Sequence, residues 1–334
     1  MRSLALEFYA PRSVRLKQVE LPPLRRGDVL VRTLFSGISS GTEMLAYRGE
    51  LDPQASLDES IGSLSGSFSY PFQYGYSCVG IVEESQSEIA PGTLVFCFHP
   101  HQQFVVCSRN NTVVVDGIDP RLATLFPLVE TALQISLDAG PVAEQTVLVT
   151  GLGSVGILAA ALLIRAGARP VGVDPKPWRR AVAESFGIEA IDAERLQQVM
   201  AARPTGGVPL LVEASGNPEA LADGLALLEH EGTALVASWY GAKLVPLPLG
   251  GDFHRRRLTI RSSQVSSIPA HLSKTWTIES RRAATRVLLD ELPLKYLATH
   301  EFDLYDAAQA YEAVSRLEPG LVHAAIRYEG AELV

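Results

Sequence analysis

Apolar and polar residues follow two different periods along this chain. Up to about residue 120, short alternating or β-branched runs, such as Asp28–Thr33, Ser77–Glu83, Thr93–Phe98 and Thr112–Val115, are separated by Gly, Pro and Asn. That pattern predicts an irregular β domain over 1–120. From about Arg121 strands alternate with helices. The reading is strand Thr146–Thr150, helix Ile157–Ala168, strand Pro170–Val173, helix Trp178–Phe186, strand Glu189–Ile191 and helix Glu194–Ala202. Strand Pro209–Ala214, helix Pro218–Glu229, and strands Thr233–Ala237 and Leu258–Arg261 follow. Such alternation specifies an α/β fold with a doubly wound parallel sheet over 121–263. The tail, 264–334, reads as helix Arg281–Leu289, strand His300–Asp303, helix Asp306–Leu317 with Asp306 as a possible cap, and strand Val322–Arg327. It is too short for its own core and is expected to rejoin the first domain. Small polar residues dominate Ser60–Ser69, which reads as a mobile loop.

At 334 residues, 47% hydrophobic and 20% charged, the chain is globular and large enough for two domains. A net charge of −8 offers no general attraction to nucleic acid or to an acidic membrane. Arg255–Arg257 and Arg281–Arg282 are basic exceptions, read as solvated faces. The N-terminus lacks a signal-peptide pattern, so a cytoplasmic location is expected. Cys78, Cys97 and Cys107 lack CxxC spacing and read as buried small apolar residues.

The most informative segment is Thr146–Asp174. Glycines at 151, 153 and 156 stand between a strand and a helix, and Asp174 ends the next strand 23 residues after Gly151. Gly151 permits a tight turn, Gly153 lets backbone approach a pyrophosphate, and Gly156 allows close helix–strand packing. The helix start then offers N–H groups, those of Ser154 and Val155, to an anion. Asp174 is placed to accept hydrogen bonds from an adenosine ribose. Ala214, Ser215 and Gly216, and Ser238 to Gly241, follow later strands on the same edge, and Ser263 and Gln264 are candidates for the nicotinamide side. A membrane span over Thr146–Ile164 is the alternative, opposed by the three glycines. The Asp174 charge would repel the extra phosphate of NADP, so NAD is preferred, with Lys176, Arg179 and Arg180 close enough to weaken that preference.

The β-rich start, the dinucleotide segment and the tail THEFDLYDAAQAYEAV…GLVHAAIRY together resemble the medium-chain dehydrogenase/reductase superfamily over nearly the whole chain. More narrowly, SGISSGTEMLAYRG, YPFQYGYSCVG, PLVETAL and RRLTIRSSQV are similar to the branch typified by bacteriochlorophyllide dehydrogenase. The resemblance implies a GroES-like irregular β-barrel domain beside the Rossmann domain. It also implies a nicotinamide cofactor, a small-molecule substrate between domains, and a homodimer pairing through Leu258–Arg261. Where zinc-dependent members carry ligands, this sequence has Ser39 or Ser40, then Gly75, Tyr76 and Ser77, then Phe126. These side chains do not replace thiolate, imidazole and carboxylate, so no catalytic zinc is expected.

Hydroxyls would then stabilise the charge that hydride transfer puts on a carbonyl oxygen. Tyr76 is the first candidate, assisted by Ser40 and Thr42, though Tyr76 also reads as a half-buried aromatic. Glu43 matches a position near the zinc of those enzymes and also reads as a loop anchor. Glu130, on an apolar helix start, needs a partner; substrate orientation and local N–H capping are both open. His99 and His101 suggest a metal pair, but no third ligand completes it; they read as loop or pocket-wall residues, His99 being a possible proton donor. The leading expectation is a zinc-independent, NAD(H)-dependent dehydrogenase acting on a secondary alcohol or ketone in a biosynthetic pathway; a reductase of activated C=C bonds and a non-catalytic dinucleotide sensor or scaffold are the alternatives.

Overall fold

In the computed structural model, which describes residues 1–58, 61–201 and 207–328, the chain divides into two compact units. One is Met1–Pro127 with Arg282–Val334, the other Leu128–Arg281. The divisions thus fall later than residues 120 and 263, and 264–281 stays with the second unit instead of returning to the first. The reason is Arg281. Its side chain donates to Glu130 Oε1 (3.1 Å), Gln134 Oε1 (2.6 Å), Val265 O (2.5 Å) and Ser267 O (3.4 Å), which ties that segment down. Arg281 is 2% exposed, and Arg282 lies 4.5 Å from the centroid of the Phe98 ring. Neither belongs to the solvated face read from the sequence.

Strands β1 (Arg2–Ala10), β2 (Ser13–Glu20), β3 (Asp28–Ile38), β4 (Cys78–Ser85), β5 (Leu94–Cys97), β6 (Phe104–Ser108) and β7 (Thr112–Val114) open the first unit. The second holds β8 (Thr146–Thr150), β9 (Arg169–Val173), β10 (Glu189–Ile191), β11 (Val208–Glu213), β12 (Leu228–Val236) and β13 (Thr259–Ser262). Strands β14 (Ala298–Asp303) and β15 (His323–Arg327) complete the first. All contacts in the second unit's sheet are parallel, in the order β10-β9-β8-β11-β12-β13. That is the doubly wound order, whose switch point lies between β8 and β11. Four of the five β8 residues are buried, as expected of a strand covered on both faces. The helix after it, Ser154–Arg165, starts three residues before the expected Ile157, because Gly153 is its N-cap. No helix among the described residues is long and apolar enough to cross a membrane.

The first unit pairs β1 with β2 as an antiparallel hairpin, beside a mixed sheet in the order β14-β15-β3-β4-β5-β7, with β6 also on β3. Hairpin and sheet enclose an aromatic core in which Phe8 stacks on Phe72 at 5.3 Å and meets Tyr311 edge-on at 5.3 Å. Leu64 and Phe68 are buried in it, and Ser63 Oγ donates to Phe98 O at 2.9 Å. The stretch taken for a mobile loop is therefore anchored by its apolar members; Ser60 lies outside the described residues. The three cysteines are buried. Asp306 precedes helix Ala307–Ser315 but makes no cap; its carboxylate accepts from Gln309 Nε2 at 3.0 Å.

His323, on β15, is 2% exposed and meets Thr124 Oγ1 at 3.1 Å. Burial, with a smaller contribution from Arg121, pushes its pKa from 6.5 down to about 4. The unfolded chain then binds a proton that the native chain does not, so stability rises with pH between these values. We expect a loss of up to about 3 kcal/mol as pH falls from 6.5 to 4. Urea unfolding at pH 7 and pH 4.5, with wild type and His323→Gln, measures it; equal pH slopes for the two proteins would count against this origin.

Candidate functional site

Two polar assemblies stand out, one in each unit. In the second, the glycine turn caps the switch point of the parallel sheet. Gly151 has φ +88, and a Cβ there would lie 2.5 Å from Ser215 Cα. A Cβ on Gly156 would lie 1.9 Å from Gly151 O, so the helix can start this close to β8 only without one. Nothing lies within 4 Å of a Cβ position on Gly153, and no side chain caps the helix start. A helix start without a side-chain cap is the geometry at which dinucleotide folds receive an anion.

Asp174, 2% exposed, is fixed by this turn. Its Oδ2 accepts from Leu152 N–H at 2.9 Å and faces Arg179 Nη1 at 3.3 Å, while Oδ1 accepts from Lys176 N–H at 2.8 Å. On the neighbouring strand end, buried Glu213 accepts at Oε1 from Ser215 N–H (2.7 Å), Ser215 Oγ (2.6 Å) and Gly216 N–H (3.1 Å). Ser238 Oγ accepts from Gly216 N–H at 2.9 Å. Glu213, which sequence reasoning passed over, thus shapes the Ala214–Gly216 turn; its signal was an acid closing an otherwise apolar strand. Ser263 is placed differently from the nicotinamide-side reading, since its Oγ donates to Asp138 Oδ2 at 2.7 Å.

In the first unit, the side chains of Ser39 and Thr42 lie near enough to the Tyr76 hydroxyl to act on it. Burial pushes its pKa up to about 12, with Glu43 adding to the rise and the two hydroxyl contacts opposing it. Tyr76 therefore keeps its proton at neutral pH. The serine that acts on it is Ser39 and not Ser40, the residue first expected. Beneath lies Glu43, 0% exposed at the start of helix Thr42–Arg48. Its Oε1 accepts from Ser39 N–H at 2.9 Å, and its Oε2 from Tyr311 OH at 2.5 Å and His101 Nε2 at 2.9 Å. The far side of the imidazole, Nδ1, meets Ser36 Oγ at 2.7 Å, which meets Tyr328 OH at 2.9 Å.

His101 is thus a fully buried hub where a loop or pocket-wall residue was read. Its ring also explains Gly75, whose φ is +107 and whose Cβ would lie 2.4 Å from His101 Cδ2. His99 is not an acid at neutral pH, because burial pushes it down to about 4. Glu130, expected near the reacting atoms, is 3% exposed and paired with Arg281 at 3.1 Å; the partner its apolar surroundings demand is that guanidinium.

A family model described as zinc-binding dehydrogenase matches residues 154–280. The 2-desacetyl-2-hydroxyethyl bacteriochlorophyllide A dehydrogenase of Cereibacter sphaeroides is 27% identical over 333 residues, covering 93% of this chain and 94% of its own. The solved 2R,3R-butanediol dehydrogenase from Bacillus subtilis matches with a TM-score of 0.80 at 18% identity, over 98% of this chain and 100% of that one. An alcohol dehydrogenase from E. coli CFT073, solved with NADH, matches with a TM-score of 0.78 at 15% identity, over 98% and 99%. The fold is theirs: a Rossmann sheet plus a GroES-like domain.

Gly75→Ala should cost about 3 kcal/mol, combining a strained left-handed residue with a clash against a ring fixed on both nitrogens. Urea unfolding measures it; a loss under about 1 kcal/mol would mean that the ring yields easily.

Proposed function

We propose that this chain, a member of the medium-chain dehydrogenase/reductase superfamily, is a zinc-independent oxidoreductase that moves a hydride between a nicotinamide coenzyme and a secondary alcohol or its ketone. The observation that carries this reading is the half-buried Tyr76 phenol, on whose hydroxyl Ser39 and Thr42 act, with the buried Glu43 accepting from the Ser39 N–H. Zinc needs thiolate, imidazole or carboxylate donors. Ser40, Tyr76 with Ser77, and Phe126 stand at the corresponding positions. Ser77 Oγ is committed to Thr124 O at 2.7 Å, and the Phe126 ring stacks on Phe96 at 4.6 Å. That set does not fit the metal.

The second unit fits a dinucleotide. Ser154 and Val155 would offer N–H groups to the pyrophosphate, and Gly151, Gly153 and Gly156 would let it approach. Asp174 would engage the ribose, and Ala214, Ser215 and Ser238 would border the coenzyme along the strand ends. NAD is favoured over NADP by the Asp174 charge, and the Arg179 guanidinium 3.3 Å away softens that choice. When bound, the nicotinamide gives or takes the hydride.

In the reductive direction, negative charge grows on the carbonyl oxygen as its carbon receives hydride. Tyr76 donates its proton to that oxygen, Ser39 and Thr42 stabilise the phenolate left behind by hydrogen bonding, and water returns the proton. Oxidation runs the same path backwards. The free edge β13 is the expected seam of a homodimer, and a cytoplasmic setting is part of the reading.

Tyr76→Phe should lower kcat by about 10²–10³-fold with KM nearly unchanged. NADH oxidation against a panel of ketones measures it, and unaltered turnover would remove Tyr76 from the chemistry. With an enone as substrate the expected product is the allylic alcohol; a saturated ketone would instead identify a C=C reductase.

A further inference from the structure

We infer that the first unit carries a second small-molecule site, suited to a flat organic monoanion, in the cavity between the β1–β2 turn and helix Ala307–Ser315. The cavity measures about 490 Å³, and its lining includes Tyr9, Arg12, Tyr47, Gln309, Glu312 and Arg316. Ligand pockets run from roughly 300 to 1,000 Å³. This one is lined by none of the residues of the hydroxyl cluster or the glycine turn, and it does not depend on the function proposed above.

Charge comes first. On a chain of net charge −8, the groups acting on the Tyr47 hydroxyl are Arg12, Arg48 and Arg316 against the single carboxylate of Glu312. Two of those cations are engaged. Arg48 donates to Ser315 Oγ at 3.2 Å and Ser315 O at 3.1 Å, and Arg316 is paired with Glu312 one turn away. Arg12 has no hydrogen bond or ion pair from its side chain among the described residues. One cation is therefore open to a ligand, and Glu312 at the rim disfavours a second negative charge there.

Backbone conformation comes second. Arg12 has φ +58 in the turn between β1 and β2, a left-handed position that glycine takes without cost. Its N–H donates to Tyr47 O at 2.5 Å, which holds the turn against the end of helix Thr42–Arg48. A non-glycine residue kept in a disfavoured conformation, with a free guanidinium over a cavity, points to a use for that side chain. Shape comes third. Tyr9 is 44% exposed with Arg15 5.1 Å from its centroid, and Tyr47 backs onto Tyr311 at 5.4 Å. Aromatic walls with a cation between them suit a planar apolar body carrying one anionic group. Through Tyr311, whose hydroxyl holds Glu43, an occupant would sit one ring away from the buried hub.

The test uses the full chain and 1-naphthoate as probe, with 1-naphthalenemethanol as its neutral analogue and acetate as an anion without a ring. Calorimetry should show one naphthoate bound per chain, with the alcohol and acetate each at least tenfold weaker. Arg12→Gly should weaken naphthoate at least tenfold while leaving the urea midpoint equal or higher, since glycine relieves the strained turn. Arg316→Gln, which leaves the Glu312 carboxylate unpaired at the rim, should weaken naphthoate less than Arg12→Gly does, both side chains being exposed. Naphthoate binding undiminished in Arg12→Gly, equal binding of the neutral alcohol, no heat at millimolar probe, or a lowered midpoint in Arg12→Gly would each overturn the proposal.

Discussion

A single buried carboxylate organises the first unit. Removing Glu43 from water is costly unless its oxygens are satisfied, and the chain meets that requirement from three directions in sequence: a backbone N–H four residues back, an imidazole from the loop before β6, and a phenol from the helix Ala307–Ser315. Each bond fixes something else. The Ser39 N–H sets the loop from which Ser39 acts on the Tyr76 hydroxyl, the His101 ring lies against Gly75, and Tyr311 joins the aromatic core. A charge that would be a liability alone thus becomes the clamp around the proposed donor. The further contacts of His101 to Ser36 and of Ser36 to Tyr328 leave no loose end on the imidazole, as a buried polar network requires.

The two units solve different problems. In the second, glycines remove side chains so that a helix start can lie against a strand, while Asp174 and Glu213 tie the flanking turns to carboxylates. This geometry is general to dinucleotide folds and says nothing about substrate. In the first, Ser40, Tyr76 with Ser77, and Phe126 stand where the resemblance puts metal ligands, and the proposed function gives the chemistry to hydroxyls.

What the sequence disclosed depended on the range of the interactions involved. Strands β8 and β10 and the doubly wound parallel sheet were legible, because local period and the glycine spacing encode them. Tyr76 and Thr42 were placed by likeness of motif, whereas Ser39, which also acts on the Tyr76 hydroxyl, was left open against Ser40. His101 was misjudged, since its partners lie 58 and 65 residues away in sequence and no local pattern records them. Glu130 was misjudged for the same reason: Arg281, 151 residues on, looked like one of two exposed basic residues. The Ser60–Ser69 stretch misled through composition, because two apolar anchors, Leu64 and Phe68, outweigh the small polar residues around them.

The central claim is that Glu43 acts on the chemistry through the Tyr76 cluster. A double-mutant cycle on kcat with Glu43→Gln and Tyr76→Phe tests it most directly. The account predicts strong non-additivity: Glu43→Gln should slow the wild-type enzyme at least tenfold, yet change the Tyr76→Phe enzyme by less than about twofold. Two effects that multiply independently would contradict it.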